Sequence, residues 1–393
     1  MTTSRRFGFL AMCLLCAAFC LAQTVSIPVV AYFGVPSDHS TPQTFADFKK
    51  AGFDIGISYY PTIADAKKAL DIAERQDVKI IARCLDADSN PTRMAKELSG
   101  HSALYGYWIS DEPDNGKLTA IKKTIQDMRR IDSKKMMYLN IFPFYGNSML
   151  KQLKTTSYDN YVRNAASSGI RVLSFDYYPI TTTGIRSTWY KNLETIRQES
   201  QKAKIPFWGF VLSTPHFNYP QPTLADLRLQ VYSNLVYGAQ GIQYYTYWTP
   251  KAHDKVDYHN GPIAYDGKKT KTYNIVKSMN TELKSIGKLF ANAQILSVRH
   301  LIKIPEGTSK LETSPVNIRQ LIVSGKEGAI ISQFVKNGKQ YLAIVNKDNK
   351  DNMAVKIKWK NDTPVQITKS LQTLRVKNSY NIGAGDIIIF KLK

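Results

Sequence analysis

From about residue 26 to residue 293, short apolar runs alternate with longer amphipathic stretches, a pattern that few folds can accommodate. The apolar runs are rich in β-branched and aromatic residues, as strands are, and they recur about every 25 to 35 residues. In most of the stretches between them, apolar residues recur at three- and four-residue steps, which gives a helix one buried face. Eight strands, most of them followed by a helix, favour a closed parallel (β/α)8 (TIM) barrel over an open doubly wound sheet. The candidate strands are Ile27–Phe33, Ile55–Tyr60, Lys79–Cys84, Leu104–Ile109, Met136–Phe142, Val172–Tyr177, Phe207–Leu212 and Ile242–Tyr247.

The pattern changes after a last long predicted helix, Tyr273–Ala291. Short runs then alternate with turn signals such as Asn337-Gly338. The run Val355–Trp359 alternates apolar and polar residues with a period of two, which suits a sheet with one solvated face. We therefore predict an α/β barrel followed by a small all-β sandwich. The predicted division is a signal peptide over residues 1–22, a barrel over residues 23–293 and a β-sandwich over residues 294–393.

The N-terminus has the pattern of a secretory signal peptide. Arg5 and Arg6 precede an apolar run that ends at the small residue Ala22. The run has about 16 residues, which is short for a membrane-spanning helix, and no later stretch is long enough to cross a membrane. We expect export to the periplasm, the cell surface or the medium. Lipidation at Cys20 is the alternative, although Phe19 before it is a poor small residue for that processing.

The composition excludes several kinds of partner and cofactor. The formal net charge is +22, but the basic residues are mainly scattered Lys and not Arg blocks with interleaved aromatics, so nucleic acid is not an expected partner. The charge is either a solvated basic surface or an attraction to acidic polysaccharide. The 6 His residues lack metal-ligand spacing, Cys84 alone remains after Ala22, and no glycine-rich phosphate loop is present. We expect a monomer with no metal and no cofactor.

The strongest chemical signal follows the fourth candidate strand, where the sequence reads Tyr-Gly-Tyr-Trp-Ile-Ser-Asp-Glu-Pro over residues 105–113. A barrel places its active site at the carboxyl ends of its strands, so Asp111 and Glu112 are expected at that mouth. Glycosidic bond cleavage needs a carboxylic acid whose pKa is raised by apolar surroundings, and Glu112 beside Trp108 meets that need. The alternative is that Asp111 caps the next helix and Glu112 is an acid of its first turn.

Other strand ends supply further candidates. Asp176 follows the sixth strand and is the best-placed second carboxylate, unless it only hydrogen-bonds a neighbouring loop. Aromatic rings at strand ends can stack on the C–H faces of a sugar. The predicted substrate-binding residues are Tyr60, Tyr178, Tyr247 and Trp248, together with His216 after the seventh strand. A long loop over residues 251–265 is placed to cover the site.

The barrel segment, from about Ile27 to Ala291, resembles the glycoside hydrolases grouped around family 42, and within them a group of exported Bacteroidetes proteins. In that clan the fourth strand ends in Asn-Glu-Pro and its Glu is the general acid/base, which the resemblance assigns to Glu112. Here Asp111 replaces the Asn, which contacts the sugar 2-hydroxyl in the clan, so the substrate is open. Similar segments are Ser-Phe-Asp-Tyr-Tyr-Pro at residues 174–179 and the run from Gly238 to Trp248. The resemblance implies that Trp248 forms the floor of the sugar site.

One departure from the clan matters most. Retaining members place a nucleophilic Glu at the end of the seventh strand, but residues 206–217 contain no carboxylate, and Asp226 falls in the next predicted helix. Three alternatives follow. The second carboxylate comes from another strand end, with Asp176 the best placed; or Asp111 and Glu112 act by substrate assistance; or the barrel binds a glycan without cleaving it. We predict an exported glycoside hydrolase, with a non-catalytic glycan-binding protein as the alternative.

Overall fold

The computed structural model describes residues 26–361 and 364–392. The predicted signal peptide lies outside the described residues. The strands of the N-terminal part are β1 (Val29–Tyr32), β2 (Ile55–Tyr60), β3 (Lys79–Cys84), β4 (Leu104–Asp111), β5 (Met136–Ile141), β6 (Leu173–Phe175), β7 (Ile180–Thr181), β8 (Gly184–Ile185), β9 (Phe207–Leu212) and β10 (Ile242–Tyr245). Eight of them close a parallel barrel in the order β1-β10-β9-β6-β5-β4-β3-β2, while β7 and β8 form a separate antiparallel hairpin. The predicted (β/α)8 barrel is confirmed, with β9 and β10 as its seventh and eighth strands.

A helix follows each barrel strand. The helices are α1 (Pro42–Lys50), α2 (Ile63–Arg75), α3 (Pro91–Leu98), α4 (Leu118–Ile131), α5 (Tyr158–Ala166), α6 (Trp189–Ala203), α7 (Leu224–Tyr237) and α8 (Lys271–Phe290). Threonine side chains cap several of them: Thr41 and Thr223 each accept from the backbone N–H three residues on, which satisfies a donor that the helix leaves free. Among the described residues, no helix is both long enough and apolar enough to span a membrane.

Alternation along the barrel strands decides which side chains face the barrel interior. One set of strand residues, including Val30, Ile57 and Phe210, packs in the interior of the barrel. Their neighbours in sequence, such as Val29 and Ala31, pack in the layer between the strands and the helices. This division follows from the two-residue period of a strand. It determines which aromatic residues reach the mouth.

Antiparallel sheets follow the barrel, as predicted. Their strands are β11 (Gln294–Ile302), β12 (Ile318–Ser324), β13 (Gly328–Lys336), β14 (Lys339–Asn346), β15 (Met353–Trp359), β16 (Val365–Ile367), β17 (Thr373–Arg375), β18 (Ser379–Ile382) and β19 (Ile387–Lys391). One sheet has the order β11-β13-β14-β19-β16-β17 and the other β12-β15-β18. Buried Leu342, Ile344 and Phe390 of the first sheet pack against Val355 and Ile357 of the second. Their shared apolar core makes the two sheets a sandwich.

The sandwich packs against α7, the helix that follows the seventh barrel strand. The Tyr237 hydroxyl contacts Nε2 of His300 at 2.8 Å, and the Ser332 hydroxyl donates to the Val236 carbonyl at 2.9 Å. Helix α7 is therefore buried on almost all sides, which explains why its sequence is apolar nearly all round. The sandwich thus packs against the outer helical layer of the barrel, next to β9.

Candidate active site

Three acidic side chains meet at the carboxyl end of the barrel. Asp111 is the last residue of β4, Glu112 follows it, and Asp176 comes directly after β6. The Glu112 and Asp176 carboxyls are hydrogen-bonded to each other. Asp111 accepts from the Tyr32 hydroxyl at 2.8 Å and from the Asn140 amide at 3.2 Å, and the same amide donates to Asp176 at 2.9 Å. The structure thus brings together the three acids that the sequence singled out.

The backbone at the end of β4 explains how two consecutive acids face the same site. The register of β4 against β5 shifts between Trp108 and Ser110, and Glu112 has a φ of 44°, in the left-handed region. Such a backbone is strained for a non-glycine residue and clusters at functional sites. The Glu112 N–H is nevertheless held, because it donates to the Asn140 carbonyl at 2.9 Å. This bend turns Glu112 toward Asp176 while Asp111 stays beside Asn140.

Asn140 is oriented by a hydrogen-bond network below the acids. Its Oδ1 accepts from the Ser174 hydroxyl at 2.9 Å, so its Nδ2 must point to the carboxyls. Ser174 in turn accepts from the Gln243 amide at 2.8 Å, and the Tyr138 hydroxyl donates to Gln243 Oε1 at 2.8 Å. All four side chains are buried. The network therefore fixes the floor of the site, and the sequence analysis did not identify any of its members.

The electrostatics of the site place a proton on the acids near neutral pH. Burial, together with the charge of Asp111, raises the pKa of Glu112 to about 7, while the hydrogen bond with Asp176 opposes that rise. Burial and the neighbouring charges of Glu112 and Asp111 raise the pKa of Asp176 well above its ordinary value. Burial also raises the pKa of Asp111, against the hydrogen bonds from Tyr32 and Asn140. Glu112 and Asp176 titrate as a pair, and between their two titration steps they share one proton.

Aromatic side chains surround the acids. The Tyr32 ring lies 5.0 Å from Trp108 and 5.8 Å from Tyr245, and Tyr178 lies 5.4 Å from Tyr245, between centroids. The charges of Asp176 and Glu112 both act on Tyr178. Within the described part of the chain, the buried Tyr178 hydroxyl and Trp108 indole N–H have no hydrogen-bond partner. Buried polar groups normally have one, so these two are available to a ligand.

A cavity of about 690 Å³ opens beside the acids, over the ends of β1, β2 and β10. Phe33, His39, Tyr59, Trp248 and Tyr265 are among its lining residues, and none of the three acids is. Phe33 connects the cavity to the acid cluster, because its ring lies 4.8 Å from that of Tyr32. The mouth therefore contains the acid cluster and, next to it, this cavity, which we call the chamber.

Three of the predicted substrate-binding residues lie at or next to this mouth. Tyr178 lies beside the acids, and Trp248 lines the chamber, where its ring is 4.7 Å from that of His39. His216 is 5% exposed, and its Nδ1 contacts the Thr214 carbonyl at 2.9 Å. Its ring lies 5.6 Å from Tyr245, and burial lowers its pKa. His216 thus supports the aromatic wall from behind.

Tyr60 and Tyr247 face away from the mouth, which corrects the prediction for both. Tyr60 is fully buried in the layer between strands and helices, because it follows the inward-facing Tyr59 in an alternating strand. Tyr59 is 50% exposed and lines the chamber instead. Tyr247 lies beyond the end of β10 and packs 4.8 Å from Phe48, on α1, while Tyr245 faces the acids.

The end of the seventh barrel strand carries hydroxyl side chains and no carboxylate. The Ser213 hydroxyl at the end of β9 donates to the Thr246 carbonyl at 2.7 Å. Asp226 lies in α7, where it caps the helix with Thr223 and accepts from Asn349 of the sandwich at 2.6 Å. The acid that accompanies Glu112 comes from β6. The loop over residues 251–265 covers this side, since the Tyr258 hydroxyl contacts that of Tyr245 at 2.8 Å.

No protein-family model and no curated protein matches this sequence. Solved structures do resemble it. A β-galactosidase from Bacillus circulans sp. alkalophilus has a TM-score of 0.63 at 9% identity, covering 94% of this chain and 99% of that one. A GH42 β-galactosidase from G. stearothermophilus has a TM-score of 0.63 at 9% identity, with 94% and 98% covered. A family 5 glycoside hydrolase from Bacteroides vulgatus has a TM-score of 0.57 at 10% identity, with 93% and 88% covered. The chain thus shares the fold of glycoside hydrolases of families 42 and 5.

Proposed function

We propose that this protein is a glycoside hydrolase whose catalytic pair is Glu112 and Asp176. The observation that carries the proposal is the hydrogen bond between these two carboxyls, which come from different strands and meet at the carboxyl end of the barrel. Glycoside hydrolysis uses one protonated and one ionised carboxyl beside the scissile bond. A pair that shares one proton supplies both forms at once. The aromatic side chains around the pair suit a sugar ring.

In the proposed reaction Glu112 is the general acid and base and Asp176 is the nucleophile. In the free protein the raised pKa of Asp176 places the shared proton on Asp176, so in the proposed reaction this proton passes to Glu112 when the substrate binds. Glu112 then protonates the glycosidic oxygen as its bond to the anomeric carbon breaks, and ionised Asp176 attacks that carbon. Glu112, now ionised, then takes a proton from water, whose oxygen displaces Asp176. Asp111, held by Tyr32 and Asn140, orients a sugar hydroxyl. Carboxyls close enough to share a hydrogen bond are nearer to the about 5–5.5 Å separation of retaining enzymes than to the about 6.5–9.5 Å of inverting ones, so we infer retention of configuration.

The two alternatives from the sequence fit this site less well. The argument for glycan binding without cleavage is the lack of a carboxylate on the seventh strand. In the proposed reaction Asp176, which follows β6, supplies the second carboxylate instead. Substrate assistance rested on Asp111 and Glu112 alone, and it leaves the bond between Glu112 and Asp176 without a role. Export from the cell, a basic attraction to acidic polysaccharide and a monomeric state remain proposals.

The test is a screen of the mature protein on aryl glycosides and on host and plant polysaccharides, together with Glu112→Gln and Asp176→Asn. Loss of general acid catalysis or of the nucleophile should lower kcat about 10²- to 10⁴-fold while substrate binding is kept. Asp114→Asn is the matched control, because Asp114 lies at the same strand end, pairs with Lys154 and accepts from the Gly116 N–H, which Asn also does. If the unmodified protein bound glycans but cleaved none of the substrates, the alternative of a non-catalytic glycan-binding protein would be favoured instead.

A further inference from the structure

Arg186 is a cation at the mouth that has no acidic partner in the described part of the chain. It follows the β7–β8 hairpin, and its backbone N–H donates to the Pro179 carbonyl at 2.8 Å, which folds this loop back over the end of β6. None of the described carboxylates lies within ion-pair distance of its guanidinium. The other arginine near the site, Arg83, is held by two hydrogen bonds to Asp88, at 2.9 and 2.8 Å. Arg186 thus differs from Arg83 in having no charged partner.

Two tyrosine rings hold the Arg186 guanidinium in place. It lies 4.9 Å from the centroid of Tyr145 and 5.6 Å from that of Tyr219. Nη2 makes one long contact, 3.4 Å, to the Tyr219 hydroxyl, while the buried Nε has no partner among the described atoms. Stacking on aromatic faces fixes the plane of a guanidinium without using its N–H donors. The donors of Arg186 are therefore positioned and largely unused.

This cation is close to the catalytic pair. The charges of Asp176 and Arg186 both act on Tyr145, and Tyr219 packs 5.8 Å from Tyr178, which lies beside the acids. Arg186 and Asp176 thus act on the same tyrosine side chain. The chamber lined by Tyr59 and Trp248 lies over β1, β2 and β10, whereas Arg186 follows β6. A glycan that extends from the chamber across the acids would therefore run toward Arg186.

We propose that Arg186, held over the rings of Tyr145 and Tyr219, binds an anionic group of the substrate, so that the glycan carries a uronate carboxylate or a sulfate ester next to the cleaved bond. This inference rests on the proposed function and adds the substrate class to it. A guanidinium presents a planar pair of N–H donors that matches the oxygens of such groups. The three acids would repel an anion placed among them, so the charged unit occupies the Arg186 side.

The experiment measures binding in a Glu112→Gln background, so that turnover does not interfere. The probes are oligogalacturonates, alginate oligosaccharides, and chondroitin oligosaccharides with and without sulfate, each compared with its carboxyl-reduced or desulfated form by isothermal titration calorimetry. We expect at least one anionic probe to bind about tenfold or more tightly than its neutralised form, as a charge-assisted hydrogen bond provides. The comparison of carboxyl-reduced with desulfated probes identifies whether the carboxylate or the sulfate is recognised.

Arg186→Gln should remove this preference and leave the affinity for the neutralised probe unchanged, which also shows that the variant is folded. Arg171→Gln is the matched control, because Arg171 precedes β6 at the opposite end of the barrel and should keep the preference. A preference that survives Arg186→Gln would overturn the inference. Cleavage of neutral glycans with no gain from an anionic group would overturn it and leave the proposed function intact. Binding of no glycan at all would overturn both.

Discussion

The hydrogen bond between Glu112 and Asp176 joins the ends of β4 and β6, two barrel strands that are separated by β5 alone. The strand between them contributes Asn140, whose amide donates to Asp176 and to Asp111. The pair is therefore built on adjacent parts of the barrel wall and not across its mouth. This arrangement gives Glu112 a second carboxyl without one on the seventh strand.

The stereochemistry of the reaction follows from this contact. We expect the anomeric configuration to be retained, because hydrogen-bonded carboxyls lie closer together than the about 6.5–9.5 Å that an inverting pair needs for its water. Proton NMR of the first product, recorded before mutarotation, measures this directly. For Asp176→Gly we expect added azide to restore turnover and to yield the glycosyl azide of opposite anomeric configuration. A first product of inverted configuration would show that Asp176 is not the nucleophile.

The raised pKa of Glu112 predicts how stability depends on pH. The folded protein holds the Glu112 proton up to a pKa of about 7, above the ordinary value of 4.5. The stability that this proton gives is complete below the ordinary pKa and is lost as the pH rises through about 7. Glu112→Gln should therefore gain stability relative to the unmodified protein between these pH values, by about 3 kcal/mol. Urea unfolding at pH 4.5 and pH 8 measures the difference.

Asp114 provides the control for this pH experiment. Its pKa is lowered, in part by the hydrogen bond with Lys154, so it contributes stability above its ordinary pKa of 3.8 that is lost on acidification. The difference in stability between Asp114→Asn and the unmodified protein should therefore be nearly the same at pH 4.5 and pH 8. The same trend in both variants would argue against a raised pKa at Glu112.

Asn140 is a positioning residue whose role is testable by its effect on pH dependence. Asn140→Asp replaces the amide donor by an acid in contact with Asp111 and Asp176, which raises the pKa of both. We expect kcat to fall about tenfold or more and the acidic limb of the pH–rate profile to move to higher pH. Asn164→Asp, the same change on the exposed face of α5, should alter neither. A loss of kcat with an unmoved profile would indicate a structural role alone.

Tyr59 and Tyr60 face opposite sides of β2, so we expect changes at the two positions to have different effects on substrate binding. Tyr59→Ala removes an exposed ring from the chamber and should raise KM about tenfold for oligosaccharides, with little change for aryl glycosides that do not reach the chamber. Tyr60→Phe should leave both substrates unaffected, since the buried hydroxyl of Tyr60 lies on the helix side of β2. Kinetics on a short and a long substrate compare the two variants. Equal effects of the two changes on KM would contradict this facing.

Much of the fold was predictable because it depends on local periodicity. The spacing of apolar residues in α2, Ile63, Ala66, Leu70 and Ala73, gave its buried face correctly, and the eight runs gave the barrel strands. Asp111 and Glu112 were identifiable because they follow an apolar strand directly. The assignments of Tyr60 and Tyr247 failed because an aromatic residue at a strand end does not reveal which side it faces. That depends on the strand register and on where the strand stops.

The parallel barrel, the β-structure that follows it and the acids at the mouth were predictable from the sequence, because each depends on residue periodicity or on a position next to a strand end. Three contacts could be seen only in the folded barrel: the hydrogen bond of Asp176 with Glu112, the hydrogen bonds by which Asn140 orients the acids, and the position of Arg186 over two tyrosine rings. These contacts join residues from different strands and loops. Their geometry depends on the order and register of the strands in the closed barrel and on which side chains are buried there. No local pattern in the sequence contains that information.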